Sequence, residues 1–140
     1  MKSARSMRGH RGSAMIEFAL ILPMLLLVLF AIVEFAIALY DKAVITNASR
    51  EAARAGVVFK VPQLTTDQIK AVAVNNCEDF LISFGTAAPS VTVSHPSGTG
   101  TGDPLTVTVS YPYTGLVLGA WLHSVTDALE LSATTTMNYE

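Results

Sequence analysis

A chain of 140 residues that is 51% hydrophobic and 14% charged is too apolar for a disordered protein and too short for more than one modest domain beside a membrane segment. The formal net charge of -2 hides a polarised chain. Lys2, Arg5, Arg8 and Arg11 precede the first acid, Glu17, whereas from Asp41 onward nine acids face five bases, which leaves no basic footprint for nucleic acid. The single cysteine, Cys77, excludes an internal disulfide and any multi-cysteine zinc site.

Residues 1–12 are basic, carry Ser and Gly, and show no apolar periodicity, so they read as a leader with nothing to pack. Met15 to Leu39 is an apolar run interrupted by Glu17 and Glu34. At ~1.5 Å per helical residue it can cross a ~30 Å hydrocarbon layer with some tilt. The basic residues before it keep the N-terminus cytoplasmic and put everything after Tyr40 outside. A secretory signal peptide is the competing reading, because Ala36-Ile37-Ala38 offers a small-x-small cut before Leu39. The apolar run, however, exceeds the ~7–15 residues of a signal core, and Glu34 sits just before the cut.

No stop signal ends the helix at the membrane surface. Ala43, Val44, Ala48, Ala52 and Ala55 continue a small apolar face, Arg50, Glu51 and Arg54 occupy the other side, and Gly56 is the first plausible terminus. A helix from about Ser13 to Gly56 would be on the order of 65 Å long. Pro62 breaks the pattern, and Thr65-Thr66-Asp67-Gln68 fits a capping box that opens a second helix. Its apolar stripe is expected to run through Ile69, Val72, Ala73, Cys77, Phe80, Leu81 and Phe84 to a left-handed stop at Gly85. Cys77 on that stripe reads as a buried structural thiol.

After Pro89 the period changes to two. Val91 and Val93 alternate with Thr92 and Ser94. Leu105, Val107, Val109 and Tyr111 alternate with Thr106, Thr108 and Ser110, and Leu129, Leu131, Ala133, Thr135 and Met137 alternate with Glu130, Ser132, Thr134, Thr136 and Asn138. His95 to Pro104 joins the first two strands as a hairpin-like loop. The expected class is therefore α+β: a long N-terminal helix with a transmembrane half and an exterior half, a second helix, and a small three-stranded antiparallel sheet. The domain reading is a basic leader over 1–12, a transmembrane helix over 13–40 and an exterior domain over 41–140. The connection from Thr114 to Asp127 is too apolar for an ordinary exposed loop. Its Leu116, Leu118, Trp121 and Leu122 either close the core or form a patch for a neighbouring subunit or the membrane surface.

Glu17 is the residue that asks for chemistry, because a carboxylate at the edge of a bilayer core costs several kcal/mol unless it is paired or protonated. Cleavage after Gly12 would place a new α-amine on Ser13 one helical turn from Glu17, on its own helix or an adjacent one. Pro23 removes one helical hydrogen bond, and Glu34 lies near the outer boundary, where snorkelling or a neighbour's Lys42 or Arg50 can satisfy it. Enzymatic readings find little: His95 and His123 have no metal-ligand spacing, Gly98 to Gly102 precedes a strand and lacks a phosphate-binding lysine, and no serine sits in a nucleophile elbow. No enzyme activity, metal or cofactor is expected.

Gly12 followed by Ser13-Ala-Met-Ile-Glu17-Phe18 resembles a prepilin peptidase site with glutamate at the fifth mature position. Glu17-Phe-Ala, Pro23, Val33-Glu34-Phe35 and Asn47-Ala-Ser-Arg-Glu-Ala-Ala-Arg-Ala-Gly56 are similar, in that order, to the TadE-like pseudopilins of the bacterial tight-adherence (Tad/Flp) type IV pilus system. The resemblance covers roughly residues 12 to 58, departing where Phe18 stands in place of a frequent tyrosine. It implies a minor pilin-like subunit of the bacterial inner membrane, cut between Gly12 and Ser13 by a prepilin peptidase. Glu17, Pro23 and Glu34 would then serve assembly with other pilin and pseudopilin subunits, membrane lipid and an inner-membrane assembly platform, in a pilus for adhesion or secretion. The alternative is an unprocessed single-span anchor carrying a small exterior binding domain.

Overall fold

A computed structural model gives the fold and describes residues 9–58, 61–115 and 129–140. Its elements, in chain order, are helix α1 (Gly9–Val57), helix α2 (Thr66–Glu78) and strands β1 (Ser90–Ser94), β2 (Pro104–Tyr113) and β3 (Leu129–Asn138). The expected α+β class is observed. The chain divides into two compact units, one ending at Val33 and the other spanning Glu34–Glu140, and α1 contributes to both.

In the first unit, Met15, Ile16, Phe18, Leu20, Met24, Leu25 and Leu29 are all exposed. Leaving that much apolar surface in water costs tens of cal/mol per Å², so the solvent this segment suits is lipid. By length and composition the helix can cross a membrane, and it fits a membrane anchor. α1 begins at Gly9 rather than near Ser13, as nothing between Gly9 and Gly12 forbids helical backbone; glycine costs only about 1 kcal/mol there.

The second unit is built on the outer part of α1. Its buried stripe is Ala38, Asp41, Ile45, Ala48, Ser49, Ala52, Ala53 and Val57, the i, i+3, i+4 pattern of a helix laid on a core. Arg50, Glu51 and Arg54 are exposed, as their positions on the opposite side require. The stripe is largely alanine, which lets other elements come close. At Gly56 a Cβ would lie 2.5 Å from Leu105 Cδ2 and 2.9 Å from Ile69 Cδ1, so α1, α2 and β2 converge on this one position.

The sheet has the order β1-β2-β3, both pairs antiparallel. Leu105, Val107, Val109, Tyr111 and Tyr113 of the central strand are buried, alternating with half-buried polar neighbours. Across the register they meet Val91 and Val93 on one side and Leu131, Ala133, Thr135 and Met137 on the other. Ser49 Oγ lies 2.8 Å from Thr135 Oγ1, and Lys42 Nζ donates to the Ser132 carbonyl, tying α1 to β3. The opposite face is a hydroxyl array in register, Ser94-Thr106-Thr136, Thr92-Thr108-Thr134 and Ser90-Ser110-Ser132. Two of its cross-strand pairs are hydrogen bonded at 3.0 Å. Pro112 is tolerated in the central strand because β1 pairs no further than Ser110, so the missing donor falls beyond it.

The capping box forms as expected: Gln68 N donates to Thr65 Oγ1 (3.3 Å) and Thr65 N donates to Gln68 Oε1 (2.9 Å). Cys77 is buried and free, and burial pushes its thiol up from 9.0, which keeps it protonated and inert. The far end of α2 differs from expectation. The helix ends at Glu78 with Asp79 as its cap, and Phe80 and Phe84 are exposed rather than part of the buried stripe. The Cys77 carbonyl accepts from both Phe80 N (3.1 Å) and Leu81 N (2.9 Å), closing the helix, and Asp41 then captures the next amide. Gly85 is not in a left-handed conformation; the positive-φ glycines among the described residues are Gly98 and Gly102, in the β1–β2 loop. In that loop Gly100 N donates to Asp103 Oδ2 at 2.9 Å, so the amide faces the chain's own carboxylate, consistent with a plain hairpin. His95 stacks on Tyr139 and lies 3.0 Å from its hydroxyl through Nδ1, a structural role.

Candidate functional site

Gly12, Ser13, Glu17 and Pro23 all fall on α1 within the first unit. Ser13 and Glu17 are exposed on the helix, four residues apart and so on adjacent turns of one face. Pro23 is internal to α1, and its ring nitrogen leaves the Ala19 carbonyl without its helical donor. The apolar helix therefore presents an exposed carboxylate at Glu17, and the spacing that would bring a Ser13 amine to it is in place.

Glu34 opens the second unit and is half-buried. Its carbonyl accepts a hydrogen bond from the Tyr113 hydroxyl at 3.2 Å. Burial first, then the charges of Glu34 and Asp41, hold the Tyr113 phenol above its ordinary 10.0, so it stays a donor. Glu17 and Glu34 are separated by 17 residues, about 260° around a helix. On one chain they cannot form a paired site. Leu116, Leu118, Trp121 and Leu122 lie outside the described residues.

Asp41, next to Lys42 at the end of the apolar run, is not among the core or site residues read from the sequence. In the fold it is wholly buried, and its Oδ1 accepts from Ile82 N at 3.0 Å. Its Oδ2, the Tyr111 hydroxyl and Thr114 Oγ1 are buried without a hydrogen-bond partner among the described residues. The signal was there: Asp41 stands three after Ala38 and four before Ile45, on the stripe that becomes the core.

Burial raises the Asp41 carboxyl above 3.8, and the Ile82 amide only partly offsets this. A folded pKa above the unfolded one means that the stabilising contribution is complete below 3.8 and is lost as pH rises through the folded value. Asp41→Asn keeps an acceptor for Ile82 and removes the charge. In thermal unfolding of the detergent-solubilised chain, its melting temperature should exceed wild type at pH 7, with the gap narrowing toward pH 4. A variant that melts below wild type at pH 7 would show that the ionised carboxylate is needed.

The apolar first part of α1 fits a membrane anchor, and the alanine-rich stripe further along the same helix belongs to an α+β unit. A family model described as TadE-like protein matches residues 12–54. That stretch, with Gly12, Ser13, Glu17, Pro23 and Glu34, is TadE-like, and the match points to a pilus-associated membrane protein with an N-terminal apolar helix. No curated protein and no solved structure matches the chain. Among the described residues no group of His, Cys, Asp and Glu is placed to hold a metal ion.

Proposed function

We propose that this chain is a minor pilin-like subunit, made as a precursor in the bacterial inner membrane and built into a Tad/Flp pilus that serves adhesion or secretion. Residues 1–12 form the cytoplasmic leader, 13–40 the membrane span and 41–140 the exterior domain. A prepilin peptidase cuts between Gly12 and Ser13. The chain is the substrate of that chemistry and carries none of its own. After cleavage the Ser13 amine neutralises Glu17, and the paired helix leaves lipid to pack among other pilin and pseudopilin subunits on an inner-membrane assembly platform. Glu34 and Pro23 tune that helix. The observation that carries this reading is that the TadE-like match opens at Gly12, five residues before the only acid in the first half of the apolar run.

A second reading, an unprocessed single-span anchor with a small exterior binding domain, draws on the continuity of α1 through Gly12 and Ser13, since a helical bond must unwind before a peptidase can cut it. Intact-mass analysis of the chain recovered from native membranes separates these readings. A start at Ser13 is expected. A start at Met1 would establish the anchor in its place, and a start at Leu39 would make the first segment a signal peptide.

A further inference from the structure

The early end of α2 releases a loop that leaves three large apolar side chains exposed. Phe80 is 56% exposed, Ile82 40% and Phe84 44%. From Phe80 to Ala88 the sequence is Phe-Leu-Ile-Ser-Phe-Gly-Thr-Ala-Ala, with no charge. Its one serine is already satisfied, since Ser83 Oγ donates to the Gly85 carbonyl (2.8 Å) and accepts from Gly85 N (3.3 Å). Leu81 and Ala87 pack on the core and hold the loop at both ends, so the three exposed side chains sit on a fixed support.

Two contacts fix where this loop stands. Ile82 N reaches Asp41 Oδ1 on α1. Gly85 lies against the end of β2, where a Cβ would come within 2.8 Å of Thr114 Oγ1. The preceding β2 residue, Tyr113, bonds the Glu34 carbonyl and pairs with Leu129, which opens β3 and is 58% exposed. The loop and this strand end are thus at the level of the Glu34–Asp41 stretch of α1, where the apolar run of the sequence finishes at Leu39. An uncharged, supported patch at the height where a helix leaves the hydrocarbon has one solvent that suits it.

We propose that Phe80, Ile82 and Phe84, with Leu129, rest in the lipid interface and seat the exterior domain on the membrane before assembly. This rests on the reading of α1 as a membrane span. The partner is the apolar boundary of the bilayer. The patch has no cation of its own, so its insertion does not require anionic headgroups. Glu78 and Asp79, both exposed just before it, remain on the aqueous side.

The test is nitroxide accessibility on the full chain in phosphatidylcholine vesicles, with labels at Phe84→Cys, Phe80→Cys, Leu27→Cys in the span and Thr134→Cys on the hydroxyl face. Cys77 is buried and does not compete for label in the folded chain. The ratio of oxygen to nickel-chelate accessibility should be several-fold higher at positions 80, 84 and 27 than at 134, and unchanged when phosphatidylglycerol is added. If position 27 is lipid-exposed while 80 and 84 favour the nickel chelate, the patch faces water and the proposal fails with the span intact. Low access to both reagents at 80 and 84 overturns it in favour of a protein cover. A position 27 that favours nickel overturns the span and the patch together.

Discussion

Gly12→Leu should leave the chain at its full precursor mass, with the mature form starting at Ser13 reduced to a trace. Two effects act in the same direction. Leucine puts a branched side chain immediately before the proposed scissile bond, where the wild type presents only a hydrogen. It also raises helix propensity by nearly 1 kcal/mol at a position where α1 is already helical, which makes local unwinding for cleavage harder. Gly12→Ala imposes a propensity change at least as large with far less bulk, so the pair separates the two contributions. A strong block with leucine and a mild one with alanine assigns the effect to space in the peptidase, whereas equal blocks assign it to helix stability. The compact unit Glu34–Glu140 does not include Gly12, so its melting temperature should stay at the wild-type value. Undiminished mature protein from Gly12→Leu would remove the processing site from the account.

Most of the fold of the second unit was legible because its signals are local. The period-two runs became β1, β2 and β3, and the Thr65 capping box starts α2 where the four residues say it should. Cys77 on an apolar stripe proved to be buried. The end of α2 was not legible, since Phe80 and Phe84 continue its helical spacing perfectly well. What ends the helix is a contact across 41 residues of chain, Asp41 taking the Ile82 amide, and no local window contains it. Tertiary capture of a backbone donor outweighs a few tenths of a kcal/mol per residue of helix propensity. The same contact hid Asp41, which reads as a boundary charge until the strand ends and the loop close around it.

The two units also differ in what sequence can say of them. In Glu34–Glu140 the buried apolar positions of the sheet have partners to be checked against, such as Val109 with Val91 and Ala133. In the segment that ends at Val33 the large apolar side chains are exposed, so its meaning depends on the solvent around it. Residue identity carries more of the inference there. Glu17 matters because lipid is the environment in which a carboxylate is most expensive.

Glu17→Ala should leave processing and membrane content unchanged and remove the chain from the pilus fraction. In the precursor the Ser13 nitrogen is a neutral peptide group and offers Glu17 no counter-charge, so removing the carboxylate lowers the cost of residing in the membrane. After cleavage the Ser13 amine is a cation that also sits at the lipid edge. With Glu17 gone it has no counter-charge when neighbouring subunits exclude water from it. Truncating one member of a buried, hydrogen-bonded charge pair costs about 2–5 kcal/mol, which corresponds to roughly a 30-fold or greater loss of incorporation. Glu17→Gln keeps an acceptor for the amine without the charge and should fall between alanine and wild type. The measurement is the ratio of this chain to the major pilus component in sheared pili, with intact mass reported on the membrane-retained pool. A Ser13 start in that pool together with depleted pili locates the role of Glu17 in assembly. A Met1 start locates it in peptidase recognition, and wild-type abundance of Glu17→Ala in pili would end the amine-carboxylate account.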